Sequence, residues 1–142
     1  MLLRNMQALE IMKTHVVKTT GDATLAEAAD LFDLYQTTAL PVVDATGVLL
    51  GMLAECDIAR AVRKLSGAVA GQERVLDWMT VPAVCIAETA DVGEAVAILR
   101  SRHLKRLPVV TDAGRVVGVV NRIDLLQAVF EGTISDGFTD GP

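Results

Sequence analysis

The sequence predicts a mixed α/β (α+β) fold built from two pseudo-symmetric β-α-β-β-α repeats packed sheet to sheet, and three observations carry that prediction. The tetrapeptide Leu-Pro-Val-Val begins at Leu40 and again at Leu107, an offset of 67 residues. At the same offset, with no gap, Met12 falls on Met79, Val17 on Val84, Glu27 on Glu94, Gly47 on Gly114, Gly51 on Gly118 and Asp57 on Asp124. Within each copy the apolar period switches from helical to extended and back. A duplicated unit of about 55 residues therefore fills the chain twice. So small a unit buries too little of its surface to be stable alone, and the two copies are expected to pack on each other.

Each copy opens with a short amphipathic segment, ALEIMK from Ala8 or VLDWMT from Val75, read as a single turn capping the core with Trp78 and Met79 as wedge residues. A first strand follows at Val16–Thr20 and Ala83–Ala87, rich in β-branched or small apolar residues. A helix comes next. Leu25, Ala28, Ala29, Phe32 and Tyr35, like Val92, Ala95, Val96 and Leu99, recur at i, i+3, i+4, i+7 and mark one buried stripe. Thr24 with Glu27, and Asp91 with Glu94, carry the capping signature for its start. The second strand, ALPVVD or RLPVVT, has its proline near the beginning, where a missing ladder donor is tolerated. Gly47 and Gly114 supply the turn to a third strand, and a last helix runs from about Glu55 and Arg122. The chain divides as 1–66 for the first repeat with its N-terminal segment, 67–72 for a linker or loosely ordered helix end, 73–131 for the second repeat, and 132–142 for a flexible acidic tail.

Composition narrows the function. A hydrophobic content of 51% suits a packed core, while no apolar run approaches the length of a membrane span and the first residues lack a signal-peptide pattern. The expectation is a soluble, cytoplasmic protein with no membrane partner. A net charge of −5 and one Trp, one Tyr and three Phe argue against a nucleic-acid partner, which needs unpaired cations and stacking platforms. Cys56 and Cys85 do not correspond between the repeats and have no ligand-like spacing, so neither a disulfide nor a metal site is expected. His15 has no companion and reads as a solvated loop residue. With neither histidine nor cysteine set beside a base or a glycine elbow, the chain is not read as an enzyme.

The strand-helix-strand-strand-helix order, with IMK and WMT, LPVV, GVLLG and GRVVG, and CDI and IDL in the same order in both copies, resembles the tandem CBS (cystathionine β-synthase) domain pair, or Bateman module. The resemblance covers about residues 7 to 131. It implies a regulatory module that binds AMP, ADP, ATP or S-adenosylmethionine in clefts between the repeats and assembles as a homodimer. It implies no required cofactor, and a regulated protein as a further partner. A family motif of glycine, two apolar residues, Thr or Ser, two variable residues and Asp reads here as GMLAECD and GVVNRID. Asp57 and Asp124 would accept from the ribose hydroxyls, and the helix start behind each would favour a phosphate. Both copies lack the hydroxyl residue. Ala54 cannot cap or donate, whereas Asn121 can do both.

The resemblance ranks the second copy higher for a second reason. His103, Lys105, Arg106 and Arg122 gather cations there, and Arg106 offers a forked donor set. The first copy places Thr38 in the matching loop. Val17 and Val84 would wall the adenine, with Pro41 and Pro108 beside them on the second strands. The alternative is a ligand-free scaffold used for dimerisation or docking, in which Asp57 and Asp124 only satisfy helix dipoles and the cations only close a helix end.

Overall fold

The computed structural model describes residues 6–130, so the expected acidic tail lies outside the described residues. The chain forms two compact bodies that do not follow chain order: one is Val17–Ala83, the other joins 6–16 to 84–130.

In the first body β1 (Thr19–Thr20) runs parallel to β2 (Ala39–Val43), which pairs antiparallel with β3 (Leu49–Ala54). Helices α2 (Leu25–Tyr35), α3 (Glu55–Lys64) and α4 (Gly67–Gln72) accompany this sheet. The second body repeats the plan with β4 (Ile86–Ala87), β5 (Arg106–Val110) and β6 (Val116–Asn121), with α5 (Val92–Ser101) and α6 (Arg122–Phe130). Even the irregularities recur: the register shifts between Val42 and Val43 and again between Val109 and Val110. Helix α2 and helix α5 are followed by non-glycine residues at positive φ, Gln36 at 51° and His103 at 55°, the left-handed conformation that turns a chain off a helix end.

The opening segments are exchanged. Helix α1 (Ala8–Ile11) comes first in the chain, yet Ala8 is fully buried among Ile86, Val92, Leu99, Leu107 and Leu125, with Met6, Ile11 and Met12 against the same core. The 3-10 turn Val75–Asp77 conversely sets Val75 among Leu25, Phe32, Leu40 and Leu53, with Trp78 and Met79 beside it. Trp78 and Met79 are thus packing residues, but of the core formed by the preceding repeat. Backbone bonds fix each exchange: Met52 and Thr80 each donate to the other's carbonyl, at 3.0 and 2.8 Å, and Lys13 and Val119 do the same at 2.9 Å both ways.

That bridge also explains the glycines of the GMLAECD and GVVNRID stretches. A Cβ on Gly51 would stand 2.7 Å from the Thr80 carbonyl oxygen, and one on Gly118 2.9 Å from that of Lys13 and against the Met12 sulfur. Only glycine lets the crossing segment lie this close.

Four expectations change in detail. The first strands shrink to two residues, because each has a ladder partner on one side only and the residues before it meet none. Pro41 and Pro108 are the third, not the first, residues of their strands. Since Met52 gives both its backbone groups to Thr80, its pairing with Pro41 is a non-hydrogen-bonded one, and the proline's missing donor points toward the side where β1 has not yet begun. The expected linker is helix α4, capped by Ser66 and holding buried Ala70 in the first core. The helical stripes stand as read, except that Tyr35 is exposed.

Candidate functional site

The two aspartates stand one turn into α3 and α6, at the same place in each body, with different surroundings. Asp57 is buried, 1% exposed. Its Oδ2 accepts from the Ala54 amide at 2.8 Å, the half of a capping box that an alanine cap leaves possible. Its Oδ1 accepts from Arg60 Nη1 at 3.1 Å and from the Thr80 hydroxyl at 3.2 Å. Arg60 is held in turn: Nη2 donates to the Trp78 carbonyl at 3.0 Å and the guanidinium lies 5.4 Å from the centre of the Trp78 ring. The Trp78 indole donates to Glu73 at 2.9 Å, so the network ends at a half-exposed carboxylate rather than in the core.

Asp124 keeps a side chain 17% exposed. Asn121 donates from Nδ2 to its Oδ2 at 3.0 Å, while the Lys13 ammonium, on a side chain 62% exposed, stands 3.8 Å from Oδ1. The Asn121 Oδ1 is buried and has no hydrogen-bond partner among the described residues. A buried acceptor left unpaired is costly and uncommon.

The loop before each second strand is tied to the start of the last helix, Thr38 O to Glu55 N at 3.0 Å and Lys105 O to Arg122 N at 2.8 Å. Arg106 lies directly across the ladder from Asn121. His103, Lys105, Arg106 and Arg122 are all exposed: His103 and Lys105 lie in the loop before β5, Arg106 begins β5 and Arg122 begins α6. Thr38 is exposed beside Glu55, in an open cavity of about 470 Å³ lined by Phe32, Asp33, Gln36, Thr37 and Ile58 as well. Pro41 and Pro108 are buried, and Val17 and Val84 are half-buried walls of their cores. The sequence does not single out Arg60, Thr80 or Lys13, and it marks Trp78 only as a wedge residue. The contacts of Thr80 with Asp57 and of Lys13 with Asp124 follow from the exchanged segments.

Cys56 is exposed, Cys85 is half-buried, and burial pushes the Cys85 thiol up. No group of three or more potential metal ligands occurs among the described residues, and none of the described helices is long and apolar enough to cross a membrane.

Comparison with known proteins agrees with this geometry. Inosine-5'-monophosphate dehydrogenase of Methanocaldococcus jannaschii is 29% identical over 121 residues, which take in 85% of this chain and 23% of that protein, so the chain spans under a quarter of that relative's length. The CBS domain-containing protein YhcV of Bacillus subtilis is 33% identical over 116 residues, 82% of this chain and 80% of YhcV. Among solved structures, CBSX2 in complex with AMP superposes with a TM-score of 0.75 at 22% identity, covering 88% of this chain and 96% of that one. The CBS domain pair of protein MJ0100, in complex with 5'-methylthioadenosine and S-adenosyl-L-methionine, gives 0.72 at 24% identity, with 91% and 98% covered. The CBS domain family itself matches residues 8–64 and 75–131. Taken with the doubled sheet-and-helix plan, these matches show that the chain belongs to the CBS domain family, as a tandem pair.

Proposed function

We propose that this chain is a cytoplasmic regulatory module that binds an adenosine ligand, AMP, ADP, ATP or S-adenosylmethionine, at the half-site made by Asn121 and Asp124, and that it signals to a partner protein. One observation carries the reading: a buried, unpartnered Asn121 oxygen beside a partly open Asp124 carboxylate. Together these are acceptors suited to a pair of sugar hydroxyls. Lys105, Arg106 and Arg122, with His103, would supply cations for the phosphates of a nucleotide, and α6 would add the positive end of its dipole. Half-buried Val84 and buried Pro108 would contribute the apolar wall on the same body. The AMP-bound and S-adenosylmethionine-bound relatives favour the same ligand class. Signalling requires that the ligand bind one arrangement of the protein better than another.

The assembly we assign is a homodimer. Leu34, Tyr35 and Val62 are exposed apolar residues on α2 and α3, at 70%, 47% and 49%, and a second copy would cover them. Light scattering on a size-exclusion column should return twice the chain mass, and a monomer at micromolar concentration would remove this part of the proposal.

Thermal unfolding with about 1 mM AMP, ATP or S-adenosylmethionine tests the ligand reading. A dissociation constant near 10 μM adds about 2.7 kcal/mol at that concentration, a rise of several degrees. Asp124→Ala should abolish the rise. A flat response to all three would turn the argument toward a ligand-free docking scaffold.

A further inference from the structure

The repeat places Asp57 where Asp124 stands, so a chain with two equivalent half-sites would take two ligands. We infer instead that the Asp57 half-site is filled from within and that the chain binds a single adenosine ligand, at Asp124; the inference rests on the function proposed above. The donors that a sugar diol would bring are already present at Asp57. Arg60 and the Thr80 hydroxyl both donate to Oδ1, and the Ala54 amide takes Oδ2. A ligand would have to displace Arg60 from a buried carboxylate and from the Trp78 carbonyl together, a charge-assisted bond and a backbone bond lost at once, from a guanidinium that is itself 40% exposed.

Among the described residues the clasp exists in one copy only. At the offset of 67 residues, Arg60 corresponds to Gln127, Thr80 to Lys13 and Trp78 to Ile11. Lys13 does reach its aspartate, but at 3.8 Å and from a largely exposed side chain, a contact that a ligand displaces easily.

Charge points the same way, independently of the clasp. The positions holding His103, Lys105, Arg106 and Arg122 in the second copy hold Gln36, Thr38, Ala39 and Glu55 in the first. Asp33 and Glu55 line the cavity at the start of α3, and none of its lining residues is basic. A phosphate entering that cavity meets the Asp33 and Glu55 carboxylates and no basic side chain.

Calorimetric titration with AMP, ATP and S-adenosylmethionine, combined with melting midpoints of the ligand-free protein, tests the inference. The expected result is a stoichiometry of one per chain, lost in Asp124→Asn and kept in Asp57→Asn. Ligand-free Asp57→Asn should melt about 5 °C or more below the wild type, because it breaks the clasp, and Asp124→Asn should melt close to it. Where Asp57→Asn does not fold, Thr80→Val removes one donor and keeps the backbone bridge, with a lowered midpoint and an unchanged stoichiometry. Two ligands per chain, or one lost on altering Asp57, would overturn the inference. A wild type that binds none of the three would sink the functional reading and the single site with it. The clasp would still be judged by the ligand-free midpoints, and equal midpoints for the two aspartate variants would overturn it.

Discussion

At Gly51 the nearest backbone atom to a would-be side chain is the Thr80 carbonyl oxygen, 2.7 Å away, and that oxygen is fixed by its bond from Met52. Gly51→Ala should therefore cost about 1–3 kcal/mol, because the obstacle is backbone and cannot swing aside; a denaturant midpoint indistinguishable from the wild type would contradict the tight crossing. Asp57→Asn should cost about 2 kcal/mol. That is less than the loss of a fully buried pair, since Arg60 is 40% exposed. Cysteine labelling gives a third residue-scale test: exposed Cys56 should react quickly at neutral pH, and Cys85, half-buried with its thiol pushed up, slowly. Equal rates would deny the burial of Cys85. At this scale the sequence was informative about which residues recur and silent about what they touch. Asp57 and Asp124 stand out because an aspartate at the same helical position appears twice. The clasp was invisible, because Arg60 and Asp57 meet residues 18 and 23 positions further along, and no local period marks such a contact.

The turns and helix starts obey local rules, and these were the most readable elements. Thr24 and Glu27 form both halves of a capping box, at 3.1 and 2.8 Å, so Thr24→Ala should destabilise the protein by about 1 kcal/mol in a denaturant titration. Asp91 serves its helix through the Gly93 amide, at 2.8 Å. In the β2–β3 turn, Asp44 accepts from the Thr46 hydroxyl and amide and from the Val48 amide, and these bonds hold its carboxyl below the usual range. A depressed folded-state pKa means that this stabilisation is complete above the unfolded value of about 3.9 and is lost as the pH falls through the lower folded value. Asp44→Ala should therefore be less stable than the wild type at neutral pH, with the gap closing in acid. A gap independent of pH would show that the carboxylate charge is irrelevant there. The short first strands were misjudged for a physical reason: a run such as Val16–Thr20 has the composition of a strand, but pairing needs a neighbour, and β2 offers one to Thr19 and Thr20 alone.

For the whole molecule, the decisive feature is that each opening segment completes a core belonging to the other stretch of chain. The duplication was legible at a fixed offset, and with it the sheet-and-helix plan. The exchange was not, because the two copies have the same pattern and either assignment satisfies it. It has a clear consequence. Removing residues 1–13 takes Ala8, Ile11 and Met12 from the core around Leu107 and Val120, and frees the Val119 amide from Lys13. Hydrogen exchange should then speed up in β6 and leave β2 and β3 protected; faster exchange in β2 and β3 instead would mean that the segment serves its own repeat. The same exchange brings Thr80 to Asp57 and Lys13 to Asp124, and so sets the difference between the two half-sites. The most direct measurement is an amide chemical-shift titration of the isotope-labelled protein with AMP. Saturable shifts are expected at Asn121, Arg122, Asp124 and Lys105, with Ala54, Glu55 and Asp57 unmoved. Shifts centred on Asp57, or none anywhere at millimolar AMP, would contradict binding at Asp124.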